Sequence, residues 1–196
     1  PSRALVGLRV FLHFLLLLLL AAISEMAASS APVSDKAGIT YHVGTAVSLA
    51  VVPVYGPLAA AVVVTISNLS LWLLKPADQT TWKKSWPQLA FNTGMHSLAI
   101  TAAGYTLLAL RDWLGPTTLL GVILPWFLSA VVYAFLNAWM LIGILRLQHG
   151  PKINPWQLWR ENWWASSIDV FVMSIGGGLL AFAVERYDSL GILIFF

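Results

Sequence analysis

The chain has 196 residues, 59% of them hydrophobic and only 10% charged, with a formal net charge of +3; a soluble domain carries about 25% charged residues. The absence of cysteine excludes disulfides, iron–sulfur clusters and zinc–thiolate sites, and the scattered basic residues form no block or stripe suited to nucleic acid. Apolar runs approaching the roughly 20 residues that a membrane helix needs recur along the chain, without the alternating pattern of barrel strands.

In chain order, the first predicted span is 8–28, built around an unbroken leucine run at 15–20 and preceded by Arg3 and Arg9. Its end, Ala27-Ala28-Ser29-Ser30-Ala31, resembles a signal-peptide cleavage region, but the segment is read as an uncleaved helix. The next apolar stretch is divided by Val52-Pro53-Val54-Tyr55-Gly56-Pro57, because proline breaks or kinks a helix interior. It predicts a helix at 42–54 and another at 57–74, as a tight hairpin or a re-entrant element. A polar connector at 75–86 leads to a span at 87–110 and a short loop at 111–116. A helix at 117–147 follows, with a kink at Pro125. Asn154-Pro155 reads as an N-cap followed by proline at the first helical position. The segment 155–164, with Trp156, Trp159, Trp163 and Trp164, predicts an interfacial helix feeding a span at 165–184. Residues 189–196 read as the opening of a further helix continuing beyond Phe196. The expectation is an all-α, polytopic transmembrane bundle of six full helices plus a truncated seventh, forming a single integral membrane domain over 1–196.

Charge orients the bundle. The connectors 75–86 and 146–164 hold Lys75, Lys83, Lys84, Arg146, Lys152 and Arg160, whereas 111–116 and 185–188 hold Arg111 and Arg186, each beside an acid. The positive-inside rule places 75–86 and 146–164 in the cytoplasm of a bacterial inner membrane.

Polar side chains within spans point to function, because each is costly unless paired or facing a cavity. Asp169 is the main ionisable case, a candidate ligand, ion or proton site or a carboxylate satisfied near the headgroups. Asn92 and His96 share one helical face, and with Asn68 and Asn137 they make a candidate ligand-binding set; hydrogen bonding between helices is the other use of such side chains. Haem or chlorophyll held through His13 or His96 is an alternative requiring the imidazoles to face each other at one depth. Otherwise no cofactor or metal site is expected. Gly176-Gly177-Gly178 permits close helix packing. There is no HExxH, GxSxG or P-loop pattern and no carboxylate pair within one span, so no catalytic residue is assigned and the segment is not expected to be an enzyme.

Several local patterns resemble a known family. They are Val47-Ser48-Leu49-Ala50, Tyr55-Gly56-Pro57-Leu58-Ala59-Ala60-Ala61, Ala90-Phe91-Asn92, Ala102-Ala103-Gly104-Tyr105 and Trp159-Arg160-Glu161-Asn162. Together these short apolar motifs, spread over 42–196, resemble the bacterial multi-helix membrane sensor domain found before HD-GYP or GGDEF signalling domains. That resemblance implies a non-catalytic sensor and anchor relaying a signal to a cytoplasmic output domain of cyclic di-GMP turnover beyond Phe196. The Gly-Pro-Leu-Ala pattern is also similar to the S components of energy-coupling-factor transporters, which implies capture of a small solute. An accessory subunit of a bioenergetic membrane complex is a third reading. The expected partners are the lipid bilayer, a small-molecule ligand, and further copies or a larger membrane complex.

Overall fold

In hydrocarbon a backbone must satisfy its own N–H and C=O groups, and a helix does so within one segment. The computed structural model describes residues 3–30, 43–74, 85–115, 119–152 and 154–195, and contains no strand among them. The helices are α1 (Arg3–Ser30), α2 (Val43–Tyr55), α3 (Pro57–Leu74), α4 (Trp86–Leu114), α5 (Leu119–His149), α6 (Pro155–Tyr187) and α7 (Ser189–Leu193), with a 3-10 turn at Gly150–Lys152.

Local chemistry sets the boundaries. Gly56 (φ +86°) ends α2 in a conformation that favours glycine, its N–H bonding the Val52 carbonyl at 2.9 Å. Pro57 then opens α3, where a missing N–H costs nothing. Ser85 caps α4 by accepting from the Gln88 N–H at 3.4 Å. Asn154 caps α6 by accepting from the N–H groups of Trp156 and Gln157, at 3.1 and 3.3 Å. Two boundaries differ from the sequence reading. Residues 111–114 continue α4 until Gly115 (φ +69°) ends it, and the Trp-rich segment is one helix with the span after it, because no proline or glycine interrupts 156–175.

Successive helices run antiparallel. Tyr55 donates to the Val10 carbonyl at 3.1 Å, which sets the end of α2 beside the start of α1. The Trp72 and Trp86 rings lie 4.5 Å apart, and the Trp139 and Trp159 rings 5.8 Å apart. One end of the bundle therefore carries Gly56 and the close of α6, and the opposite end carries Ser85 and Asn154. At the Gly56 end Arg9 pairs with Asp188, and Arg111 meets Glu185 at 3.5 Å.

Among the described residues, four helical segments are long and apolar enough to cross a membrane: Gly7–Ala27, Pro57–Leu74, Leu120–Lys152 and Ser167–Tyr187. The expected number of full spans was six. At 13 residues α2 is short, rising about 20 Å, and α4 carries Gln88, Asn92, Thr93 and His96 in its first three turns. The last element, α7, is a five-residue helix folded back on α6.

Many bulky residues face outward, while the interior mixes small residues with leucine and isoleucine. Phe11, Leu58, Leu98, Leu120 and Phe171 are exposed, while Ala21, Ala50, Ala60, Ala99, Ala103 and Ala130 are buried. This arrangement suits a lipid solvent, where close backbone approach rather than the hydrophobic effect holds helices together. A Cβ on Gly104 would stand 2.9 Å from Pro57 Cβ, so glycine lets α4 reach the α2–α3 turn. A Cβ on Gly177 would stand 3.0 Å from the Ala46 carbonyl oxygen and 3.3 Å from the Trp126 ring, whereas one on Gly176 meets nothing closer than 3.8 Å. Gly177→Val is therefore expected to destabilise the folded protein by about 1–3 kcal/mol, and Gly176→Ala to leave it unchanged or slightly more stable. Thermal unfolding in detergent checks both, and equal losses would show that the α2–α6 contact does not depend on Gly177.

Candidate functional site

Toward the Ser85 end, residues from α1 to α4 line a partly open cavity of about 10 Å³: Glu25, Gly44, Thr45, Ser48, Val64, Ser67, Asn68 and His96. That is the room of about one water molecule. Glu25, the one acid of α1, is only 7% exposed. A Cβ on Gly44 would lie 2.7 Å from its Oε1. Glycine thus lets this carboxylate lie across the first turn of α2, where helix N–H groups lack intrahelical partners and the helix dipole favours negative charge.

His96 and Tyr133 form the centre of the site. The imidazole Nδ1 and the phenolic oxygen are 2.6 Å apart, and both residues are buried. The Tyr133 oxygen also meets the Thr45 side chain, with the carboxyl groups of Glu25 and Asp169 near enough to act on it electrostatically. One arrangement that serves all three groups runs from the Thr45 O–H to the Tyr133 oxygen and from the Tyr133 O–H to Nδ1. It places the imidazole proton on Nε2. Thr65 and Ser97 add a 3.0 Å hydroxyl bond between α3 and α4.

The structure divides the sequence-predicted residues. Asn68 and His96 line the same cavity. Asn92 lines a second one of about 30 Å³, with Asn68, Leu71, Trp72, Ser85, Gln88 and Leu89, so Asn68 belongs to both. Asp169 is half-buried and within electrostatic reach of Tyr133. Asn137 lies one turn beyond Tyr133 on α5, lines neither cavity, and its Oδ1 is buried without a hydrogen-bond partner. Glu25, Thr45, Ser48, Ser67 and Tyr133 are members that the sequence reading overlooked. Glu25 carried a usable signal as an ionisable side chain in an apolar helix.

His13 belongs to a different cluster. Its Nε2 stands 2.5 Å from both Ser189 Oγ and Asp188 Oδ1, at the Gly56 end. A Ser–His–Asp triad needs serine and carboxylate on opposite ring nitrogens, and here both fall on one, so the cluster is a tie between α1 and the α6–α7 turn. His13 also sits about 18 Å along α1 from Glu25, so it does not face His96 as a bis-histidine haem site would require. Among the described residues no group of three or more His, Cys, Asp or Glu could hold a metal ion.

No family model, curated protein or solved structure matches the chain.

The polar contacts differ in expected worth. Tyr133→Phe removes one hydrogen bond and leaves its buried partners unsatisfied, and should cost about 1–3 kcal/mol; a double-mutant cycle with His96→Phe should return a coupling of at least about 0.5 kcal/mol. Asn137→Leu should be neutral or stabilising, since it removes an unsatisfied buried oxygen. Unfolding measured in mixed micelles separates these outcomes, and a costless Tyr133→Phe would dissolve the proposed network.

Proposed function

We propose that the chain is a multi-pass domain of a bacterial inner membrane, with 75–86 and 146–164 cytoplasmic, working as a non-catalytic sensor and anchor. The observation carrying this reading is the convergence of Glu25, Thr45, Ser67, Asn68, His96 and Tyr133 from five helices on one polar region. An apolar core would pack there at lower desolvation cost, so such a cluster in a membrane bundle is a functional-site hypothesis by default.

A route for the signal follows from packing. Thr45 touches the site, and the neighbouring Ala46 carbonyl sits against Gly177 of α6. Helix α6 then leads through Asp188 into α7, which the His13 and Arg9 contacts tie to α1. A change of state at Tyr133–Thr45 that moves α2 has to move α6 or open the contact at Gly177. For this to act as a switch, the signal must bind two helix arrangements with different affinity. Because α7 stands at the Gly56 end, opposite the connectors taken as cytoplasmic, an output domain of cyclic di-GMP turnover would be reached through a further membrane crossing after α7. The polar cavity itself is too small for a vitamin-sized solute, which needs about 300 Å³ or more.

The test is made in the full-length protein in its native cell. Thr45→Val and His96→Gln should each shift intracellular cyclic di-GMP by about fivefold, the effect of a coupling near 1 kcal/mol, with the amount of protein in the membrane unchanged. Nucleotide levels identical to wild type in both variants would contradict the sensor reading.

A further inference from the structure

We propose that the exposed face of α6 formed by Trp156, Arg160 and Trp163 docks on the anionic headgroups of phospholipids, with Arg146 and Lys152 adding charge from the close of the α5–α6 hairpin. The inference goes beyond a bilayer acting as solvent, because it names a headgroup charge and a place on the molecule. It does not rest on the sensor reading.

Charge sets this surface apart. At the Gly56 end Arg9 pairs with Asp188 and Arg111 with Glu185, and Arg186 stands between those two acids in the sequence. Over 146–164 the fixed charges are Arg146, Lys152 and Arg160 against a single acid, Glu161. All three basic side chains are exposed, and among the described residues none of them makes an ion pair or a side-chain hydrogen bond. Unpaired cations at the edge of a membrane span are attracted by an anionic leaflet.

Helix geometry places the acid elsewhere. Positions 156, 160 and 163 follow the i, i+4, i+7 spacing of one helical face. Trp159 turns instead toward α5, where its ring stacks on Trp139 at 5.8 Å and meets Phe135 edge-on at 6.2 Å. Glu161 lies about 200° round the helix from Trp159, on the side away from α5, and accepts from the Gln157 side chain at 2.8 Å. The face between them shows one guanidinium and two indoles. Trp156 is 65% exposed and Trp163 57%. Such rings, with an apolar body and an N–H donor, belong where hydrocarbon gives way to headgroups.

Depth agrees with this placement. Trp163 and Arg160 precede the apolar span that opens at Ser167 by about 6 and 10 Å of helix. The headgroup layer on each side of a bilayer is about 5–8 Å deep. For a helix near the membrane normal, Trp163 lies within that layer and Arg160 at its outer edge. A guanidinium there presents a planar fork to phosphate oxygens.

The test is native mass spectrometry of the purified full chain, released from neutral micelles titrated with phosphatidylglycerol or with phosphatidylcholine of the same acyl chains. Phosphatidylglycerol should bind at least about tenfold more tightly, since each Lys or Arg near the surface contributes about fivefold. The preference should shrink as salt is raised. Arg160→Gln should weaken phosphatidylglycerol about fivefold and leave phosphatidylcholine unchanged. Combining it with Arg146→Gln and Lys152→Gln should make the two lipids bind alike. These variants should unfold at the wild-type temperature in neutral micelles, because the substituted side chains have no partner to lose. Trp156→Ala with Trp163→Ala should weaken both lipids together, and Arg186→Gln, at the Gly56 end, should change nothing. Equal affinity of the wild type for the two lipids would overturn the proposal. So would displacement of phosphatidylglycerol by excess inorganic phosphate, which would make the surface a site for soluble anions. A loss in Arg186→Gln equal to that in Arg160→Gln, or unchanged binding without the two rings, would overturn the α6 face as the docking surface.

Discussion

A hydrogen-bonding group in hydrocarbon has no water to turn to, so each must find its partner within the protein. The bond between His96 and Tyr133, 2.6 Å long and buried, is where this constraint bears hardest. It joins α4 to α5, and through Thr45 it also reaches α2. Helix α4, with Gln88, Asn92, Thr93 and His96 in its first three turns, is accommodated because it packs against α2, α3 and α5 and turns His96 and Ser97 toward them. With His96, Ser97 and Tyr133 bonded inside, the outer surface is free to present leucine, isoleucine and phenylalanine to lipid. Close approach then depends on missing side chains, at Gly104 beneath Pro57 and at Gly177 beneath Ala46 and Trp126.

The two ends of the bundle do different work. At the Gly56 end the contacts are ties: Arg9 and His13 hold the Asp188 turn, and Arg111 meets Glu185. Toward the opposite end lie the carboxylate, hydroxyl and imidazole groups and both small polar cavities. Tryptophan rings gather there too, Trp72 with Trp86 and Trp139 with Trp159, as amphipathic rings do at a membrane interface. The contact of Ala46 with Gly177 links the polar region to α6, whose far end the ties hold. A site built this way can bias helix packing without performing chemistry of its own.

Helices were legible in the sequence because apolar runs are long and their interruptions have mechanisms. Gly56-Pro57 marks a turn in any context, and Asn154-Pro155 carries both cap and helix start. The reading went astray where composition stood in for a breaker. Tryptophans at 156–164 look unlike the span after them, yet aromatic side chains do not end a helix. Arg111 and Asp112 look like loop residues, yet charge is compatible with the last turn of a helix leaving the bundle, and only Gly115 stops α4. Within the site, Asn68 and His96 stood out as isolated polar residues among apolar ones. Ser48, Ser67 and Thr45 did not, because a hydroxyl can satisfy itself on its own helix and so reveals nothing about which way it faces. Asn137 looked equivalent to Asn68 and differs by placement alone. Glu25 was legible as the one acid of an apolar helix, though it was passed over beside the leucine run.

The central claim is that His96 and Tyr133 form an enclosed hydrogen bond inside a lipid-embedded bundle. The most direct measurement is solid-state nitrogen NMR of histidine-labelled protein in bilayers. The arrangement assigned to Thr45, Tyr133 and His96 predicts a single His96 tautomer with its proton on Nε2 and Nδ1 accepting a hydrogen bond, a signature lost in Tyr133→Phe. A His96 signal averaged between tautomers, or unchanged when the phenol is removed, would contradict the account.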